Sequence, residues 1–328
     1  MITRRNILEL AAGGAAAVLA PWTVRAQSYP DHPIKLVIPF PPGGVYDGLG
    51  RPFAERLRPL LGTIVIENIG GAGGALAAAS VARARADGYT LLLGGSGALV
   101  VAPVASTAKT FDPVKDFEPI YHVASVGICI AVTPSLPVAN LSELVAYGKA
   151  NPGKLSYATS GVGSWNHLTG EMFKLQAGLP DMVHVPYRGA GPALTDLIAG
   201  QVPVAFINVT GSVLEFHRTS KLRAIVVTTP KRLSGAPEIP TVTEAGFPGI
   251  VSQIFAGLFA PKGTPVPIIR RVAETTRAAL AEEELQKLFV ASGFEANLDS
   301  SPENMRRHLA DEITRWTPVI KASGLVTN

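Results

Sequence analysis

Two strand–loop–helix units carry the residues best placed to do chemistry. In the first, the apolar run Ile34 to Phe40 leads into Pro41-Pro42-Gly43-Gly44-Val45-Tyr46-Asp47 and then into a helix. In the second, Leu155 to Thr159 leads into Ser160-Gly161-Val162-Gly163-Ser164, then Trp165-Asn166-His167 and another helix. The first turn of a helix has backbone N–H groups without acceptors, at the positive end of the macrodipole, so it favours negative charge. Two such ends facing one another would suit a small carboxylated molecule, with no metal and no covalent step. The plainer reading of Gly43, Gly44, Gly161 and Gly163 is that they are turn glycines after strands.

Other chemistries fit the sequence less well. Gly161-Val162-Gly163-Ser164-Trp165-Asn166 approaches a dinucleotide fingerprint, but Asn166 stands at the last glycine position and no acidic residue ends a strand about 20 residues on. Gly94-Gly95-Ser96-Gly97-Ala98 approaches a serine-nucleophile elbow, and Ala98 breaks it. Ser96 reads better as part of a loop bordering a binding cleft. His167 has Glu171 four residues on but no third ligand, so it reads as a support beside its loop and not as a metal ligand. Asp47 facing an anion would repel it, so its expected role is to cap the first helix and hold the Gly43-Gly44 loop. Arg188 has two readings, a ligand partner or a partner for a surface acid. Asn208, ending a strand, would either donate its amide to a ligand or satisfy a turn. No Ser/His/acid set is found, and no catalytic residue or cofactor is expected.

The elements that position these loops alternate. Apolar, β-branched runs occur at Ile34–Phe40, Thr63–Glu67, Tyr89–Leu93, Ile128–Val132, Met182–Val185, Val202–Asn208 and Leu222–Thr228, with amphipathic stretches between them. That pattern predicts an α/β protein with parallel-rich sheets flanked by helices. Leu49, Phe53, Leu57, Leu60 and Leu61 are expected on one helical face, with Pro52 kinking it. Pro192 is expected to open a helix closed by Gly200, and Pro265 and Pro267 a longer one. Further helices are expected at 282–291 and 302–323.

Residues 1–26 read as an export signal: Arg4 and Arg5, an apolar run from Leu10 to Leu19, then Val24-Arg25-Ala26 for cleavage. Thr3-Arg4-Arg5-Asn6-Ile7-Leu8 also resembles the twin-arginine pattern, so both export routes stay open. The only cysteine, Cys129, permits neither an internal disulfide nor a cysteine-rich zinc site. A net charge of +4 over 328 residues, with no basic stripe, excludes a nucleic-acid binder. About 300 residues after the signal exceed what one core organises, so two domains are expected. Phe117–Val132 and Phe255–Ala260 look like crossings between them. The first domain then takes 27–125 with 255–328, and the second takes 126–254.

Pro39-Phe40-Pro41-Pro42-Gly43-Gly44…Asp47 resembles the N-terminal signature of the substrate-binding proteins of tripartite tricarboxylate transporters. Further matches follow in family order over nearly the whole mature chain. They include Glu67-Asn68…Gly70-Gly71-Ala72-Gly73-Gly74, Asp87-Gly88-Tyr89-Thr90, Tyr157…Gly161-Val162-Gly163-Ser164…His167, Val185-Pro186-Tyr187-Arg188-Gly189…Pro192 and Pro240-Thr241-Val242. Gly50 and Pro203 depart from the family pattern. The resemblance implies the two-domain periplasmic binding protein fold (type II-like) with two crossing strands, and a monomeric receptor that hands a ligand to membrane subunits. The expected ligand is a small mono-, di- or tricarboxylate or an acidic amino acid. Phe40, Pro42, Gly43 and Gly44 would form one wall, and Thr159, Gly161, Ser164, Tyr187, Gly189 and Ala190 the other, with Ser96 and Asn208 at the edges. The competing readings are a receptor presenting its ligand to a sensor kinase and an exported α/β hydrolase.

Overall fold

The computed structural model describes residues 29–325. The expected export signal at 1–26 lies outside them, and the folded body begins at His32. Strands β1 (Ile34–Ile38), β2 (Ile64–Asn68) and β3 (Thr90–Gly95) are connected by helices α1 (Val45–Leu61) and α2 (Ala75–Ala82). β1 pairs in parallel with both neighbours, Leu36 standing opposite Ile66 and Leu91. A π-helical stretch, Ser96–Val101, and the short α3 (Ala102–Ala105) then lead to β4 (Phe117–Val132).

The middle of the chain repeats the alternation with α4 (Leu141–Ala150), β5 (Ser156–Thr159), α5 (Trp165–Ala177), β6 (Val183–Pro186), α6 (Ala190–Ile198), β7 (Val204–Asn208), α7 (Gly211–Arg218) and β8 (Arg223–Val227). β5 pairs in parallel with β6 and β7. The C-terminal part supplies β9 (Gln253–Pro261), α8 (Val266–Leu280), α9 (Glu283–Ala291), β10 (Phe294–Ala296) and α10 (Pro302–Ala322). The strand order is β2-β1-β3-β9-β4-β7-β5-β6, with β8 and β10 also on β4. The flanks are therefore parallel βαβ units, and the centre is antiparallel where β4 and β9 enter.

β4 holds the two flanks in one hydrogen-bonded array. Residues up to Gly127 pair with β9 and β10, and those from Ile128 pair with β7 and β8. All residues from Pro119 to Val132 are buried, which is why the segment reads as one apolar run without alternation. Its register shifts at Pro119/Tyr121, at His122/Ala124 and at Ile130/Ala131. Near the change of partners, Thr228 bonds to both Ile128 and Ser252, tying the approach to β9 alongside.

Each flank has an apolar core. In α1, Leu49, Phe53, Leu57 and Leu61 are buried as the spacing predicts, but Leu60 turns outward and is 38% exposed. The helix is continuous across Pro52, the site of the expected kink. In the middle part, Phe206 lies against Tyr157 and Phe173, ring centroids 5.3 and 5.5 Å away. α6 begins at Ala190 and not at Pro192, because Gly189 (φ +114) makes the turn one residue before it. β10 and the Ser96–Val101 stretch carry no periodic signal and were not expected.

Gly95 lies where β3 meets β9, and a Cβ there would come within 1.9 Å of the Phe255 carbonyl oxygen. Its φ of 171° is ordinary extended backbone, so the constraint is steric. Gly95→Ala is expected to lose about 1–3 kcal/mol in urea unfolding. Unchanged stability would mean that β3 and β9 can part freely here.

Candidate functional site

β1 ends at Ile38, and the chain then turns through exposed Pro41, Pro42, Gly43 and Gly44 into α1. Gly43 has φ +84, a conformation that favours glycine. Gly44 is the N-cap of α1, and no side chain caps the helix. Its first N–H groups therefore have neither an intrahelical acceptor nor a capping oxygen.

Asp47 lies in the first turn and not at the cap, which corrects the expected position. Its buried carboxylate accepts from Gly43 N (2.9 Å), Arg51 Nε (2.9 Å) and Asn68 Nδ2 (3.0 Å). Asn68 Nδ2 also donates to Phe40 O at 3.0 Å, so one amide holds both ends of the loop. The Arg51 hydrogen bond, helped by Gly43 and Asn68, holds the Asp47 carboxyl below its usual range against the opposing effect of burial. Reaching back to Gly43 locks the turn without covering the helix end, which a capping side chain would do.

The Phe40 ring, half-buried, stacks on Tyr46 at 5.2 Å and closes on Gly97, where a Cβ would meet its Cζ at 2.9 Å. The Tyr46 hydroxyl donates to Phe255 O (2.9 Å), and Ser96 Oγ accepts from Phe255 N (3.0 Å). Ser96 is thus fully buried at the head of a helical stretch, where the sequence suggested a loop.

The second loop satisfies more of its own donors than expected. Gly161 N donates to Thr159 Oγ1, Gly163 N to His167 Nδ1, and Ser164 N to Gly161 O. Ser164 Oγ caps α5 by accepting from His167 N while donating to Gly161 O. Thr159 is fully buried, with Oγ1 2.7 Å from His184 Nε2. His184 stacks between Tyr157 (5.0 Å) and His167 (4.1 Å), and Glu171 accepts from the Tyr157 hydroxyl. His167 Nδ1 accepts the Gly163 N–H, so in this arrangement that nitrogen carries no proton.

Tyr187 N donates to Thr159 O and Gly189 N to Ser160 O, which brings the head of α6 beside this loop. Gly189 is the N-cap of α6, again without a side-chain cap, and Ala190 and Gly191 are exposed. The Tyr187 hydroxyl is turned away to Asp196 (2.7 Å), and burial with that partner pushes it up to about 12. Arg188 is exposed and has no ion pair among the described residues. Ser160 donates to Asn166, and Asn166 Nδ2 donates to Asn208 Oδ1 at 2.9 Å, leaving the Asn208 amide N–H groups without a protein acceptor among the described residues.

The predicted residues thus gather into two clusters. Phe40, Pro42, Gly43, Gly44 and Ser96 surround the head of α1, while Thr159, Gly161, Ser164, Tyr187, Gly189, Ala190 and Asn208 surround the heads of α5 and α6. The 96–101 stretch carries Gly97 against Phe40 and also packs against α5. Sequence reasoning missed Arg51, Asn68, Asn166 and His184 as the side chains that set these loops. Asn68 and Asn166 stood beside recognised motifs, but neither residue type alone announces a loop anchor. A groove of about 600 Å³ lined by Leu214, Arg218, Lys287 and Val290, among others, contains none of the predicted residues.

Asp47→Ala removes the common acceptor of Gly43, Arg51 and Asn68, and is expected to cost about 1–3 kcal/mol in chemical denaturation; no loss would mean that the turn holds itself. Burial holds His184 down to about 4, and also lowers His167. Unfolding returns His184 towards about 6.5, so the unfolded chain binds more protons there between those values. The His184 contribution is full above about pH 6.5 and is lost as pH falls towards 4, and His167 acts in the same direction. His184→Gln should therefore show a shallower fall in melting temperature between about pH 7 and pH 4.5 than the parent. Parallel curves would remove His184 from that role.

Residues 49–325 match the family model for the tripartite tricarboxylate transporter family receptor, TctC. Protein BugT of Bordetella pertussis is 35% identical over 311 residues, covering 94% of each chain. Among solved structures, R. palustris Rpa4515 with adipate is similar at TM-score 0.78 and 35% identity, over 90% of this chain and 98% of that one. MatC from Rhodopseudomonas palustris with bound malate gives TM-score 0.74 and 31% identity, over 89% and 100%. With the βαβ flanks and the central antiparallel strands already described, these likenesses settle the family: the chain belongs to the TctC receptors, which are periplasmic solute-binding proteins.

Proposed function

We propose that this chain is an exported receptor, cleaved near Ala26, that captures a small carboxylate between two domains and delivers it to the membrane subunits of a tripartite transporter. The observation that carries the reading is the uncapped head of α1, held open by Asp47 bonding back to Gly43. The adipate and malate bound to its relatives point to the same class of ligand. In this reading Phe40 and Pro42 pack the ligand's carbon body, and the amides from Gly44 onward hold its charge. On the opposite wall Gly189, Ala190 and Asn208 offer donors. Thr159, Gly161, Ser164 and Tyr187 shape that wall, because their polar groups are already engaged in it. Ser96 acts from beneath through Phe255.

The domains are 27–125 with 255–328, and 126–254. Each holds only part of the donor set, so the ligand binds the closed arrangement better and shifts the population towards it. Hydrogen bonds to a charged group contribute about 1.5–3 kcal/mol each. Micromolar affinity needs about 8 kcal/mol after the cost of association, so five or six donors suffice without an arginine clamp. The receptor works as a monomer, without a cofactor, and does no chemistry on its ligand.

A thermal-shift screen of the chain from Gln27 onward tests this with succinate, malate, adipate, citrate, glutamate and benzoate. A ligand at about 100 times its Kd adds about 2.7 kcal/mol, so a rise of roughly 5 °C or more is expected for at least one carboxylate. If every carboxylate leaves the transition in place while esters or sugars raise it, the proposal is wrong.

A further inference from the structure

Trp165 is the first residue of α5, directly after Ser164. Only 5% of it is exposed, yet its Nε1 has no hydrogen-bond partner among the described residues. A buried donor without an acceptor is costly, and native structures rarely keep one without a reason. Its neighbour Trp316, tilted by 50° with ring centroids 4.3 Å apart, is fully buried but donates its own Nε1 to Glu312 Oε2 at 3.1 Å. Two indoles in one contact are therefore treated differently, and the orphan is the one beside a candidate binding loop.

The surroundings hold this indole in place. Thr169 Oγ1 bonds both the Trp165 carbonyl and Ser252 Oγ, each at 2.8 Å, which fixes the first turn of α5 against the approach to β9. Trp316 fixes the ring against α10. Both α5 and α10 pack against the 96–101 stretch, the element that meets Phe40 of the first loop. At the head of α5, Ser164 Oγ accepts only the His167 N–H, so the earlier amides of that turn also lack a side-chain acceptor. The orphan indole thus belongs to the first turn of α5, and the 96–101 stretch links that turn to Phe40, in the loop before the uncapped head of α1.

We propose that the Trp165 indole N–H is a ligand donor that takes an acceptor oxygen of the bound anion. The inference rests on the carboxylate-receptor reading and narrows it. A ligand held by one end at the head of α1 would need a second acceptor oxygen to use the Trp165 donor. That arrangement selects a linear dicarboxylate over a monocarboxylate of the same chain length.

The chain from Gln27 onward contains two tryptophans, Trp165 and Trp316, so an ¹H–¹⁵N spectrum shows two indole resonances. Trp165→Phe keeps an aromatic ring against Trp316, removes the donor and identifies the peak. Titration with succinate, malate and adipate, each in turn, should move the Trp165 resonance downfield and leave that of Trp316 nearly still. Calorimetry of Trp165→Phe should show the dicarboxylate that binds the parent weakened about 10- to 100-fold. Hexanoate and butyrate should change by less than about threefold, since they have no second acceptor to lose. An unmoved Trp165 resonance at saturation, with equal dicarboxylate affinity in the variant, overturns the inference, makes a trapped water the indole's partner and leaves the receptor reading intact. Absence of binding by every di- and monocarboxylate to the parent overturns both.

Discussion

Backbone amides kept open to solvent at a helix end need a turn that is rigid for some other reason. At the head of α1 the Asp47 carboxylate supplies it, accepting from Gly43 on one side and from Arg51 and Asn68 on the other. A serine or aspartate at position 44 would have been the ordinary solution, but its side chain would occupy the N–H groups it stabilised. Placing the carboxylate inside the first turn separates the two tasks. Arg51 matters for the same reason, because it offsets a negative charge sitting close to where an anion would approach.

The second loop solves the same problem with uncharged groups. Thr159 Oγ1, His167 Nδ1 and the Gly161 carbonyl take up its amides one by one, and His184 is braced behind them between Tyr157 and His167. Few of its own N–H groups stay free, so donors on this side shift to the head of α6 and to Asn208. The two loops look alike in sequence, both glycine-rich and both before a helix, but their hydrogen bonding is opposite. One is open and pinned from within the helix, and the other is internally closed and borders an open neighbour.

Much of the architecture was legible in the residues. Strand runs with amphipathic stretches between them marked the βαβ flanks, and the long extended stretch Phe117–Val132, read as a crossing segment, is the strand β4. Leu60 was misjudged because ideal helical spacing puts it on the same stripe as Leu49, Phe53 and Leu57, whereas in the last turn before Gly62 it is 38% exposed. The Ser96–Val101 stretch escaped because it is short, opens on Ser96-Gly97 and is apolar after them, with no period. In the site, glycines and a capping-type aspartate were visible as types. Their partners were not, since Asn68 reaches Asp47 across 21 positions and His184 reaches Thr159 across 25. Contacts of that kind depend on strand order, which local sequence does not encode.

β4 carries a mechanical consequence of its own. Its partners change between Gly127 and Ile128 with no loop at the boundary, and Gly127 is packed so closely that a Cβ would meet Thr229 at 2.7 Å. Any relative movement of the two flanks then acts on a continuous strand whose partners change in mid-course and whose pairing shifts register on both sides of that point. With no loop at that point, bending or twisting of the strand is an easier course than one flank sliding past the other.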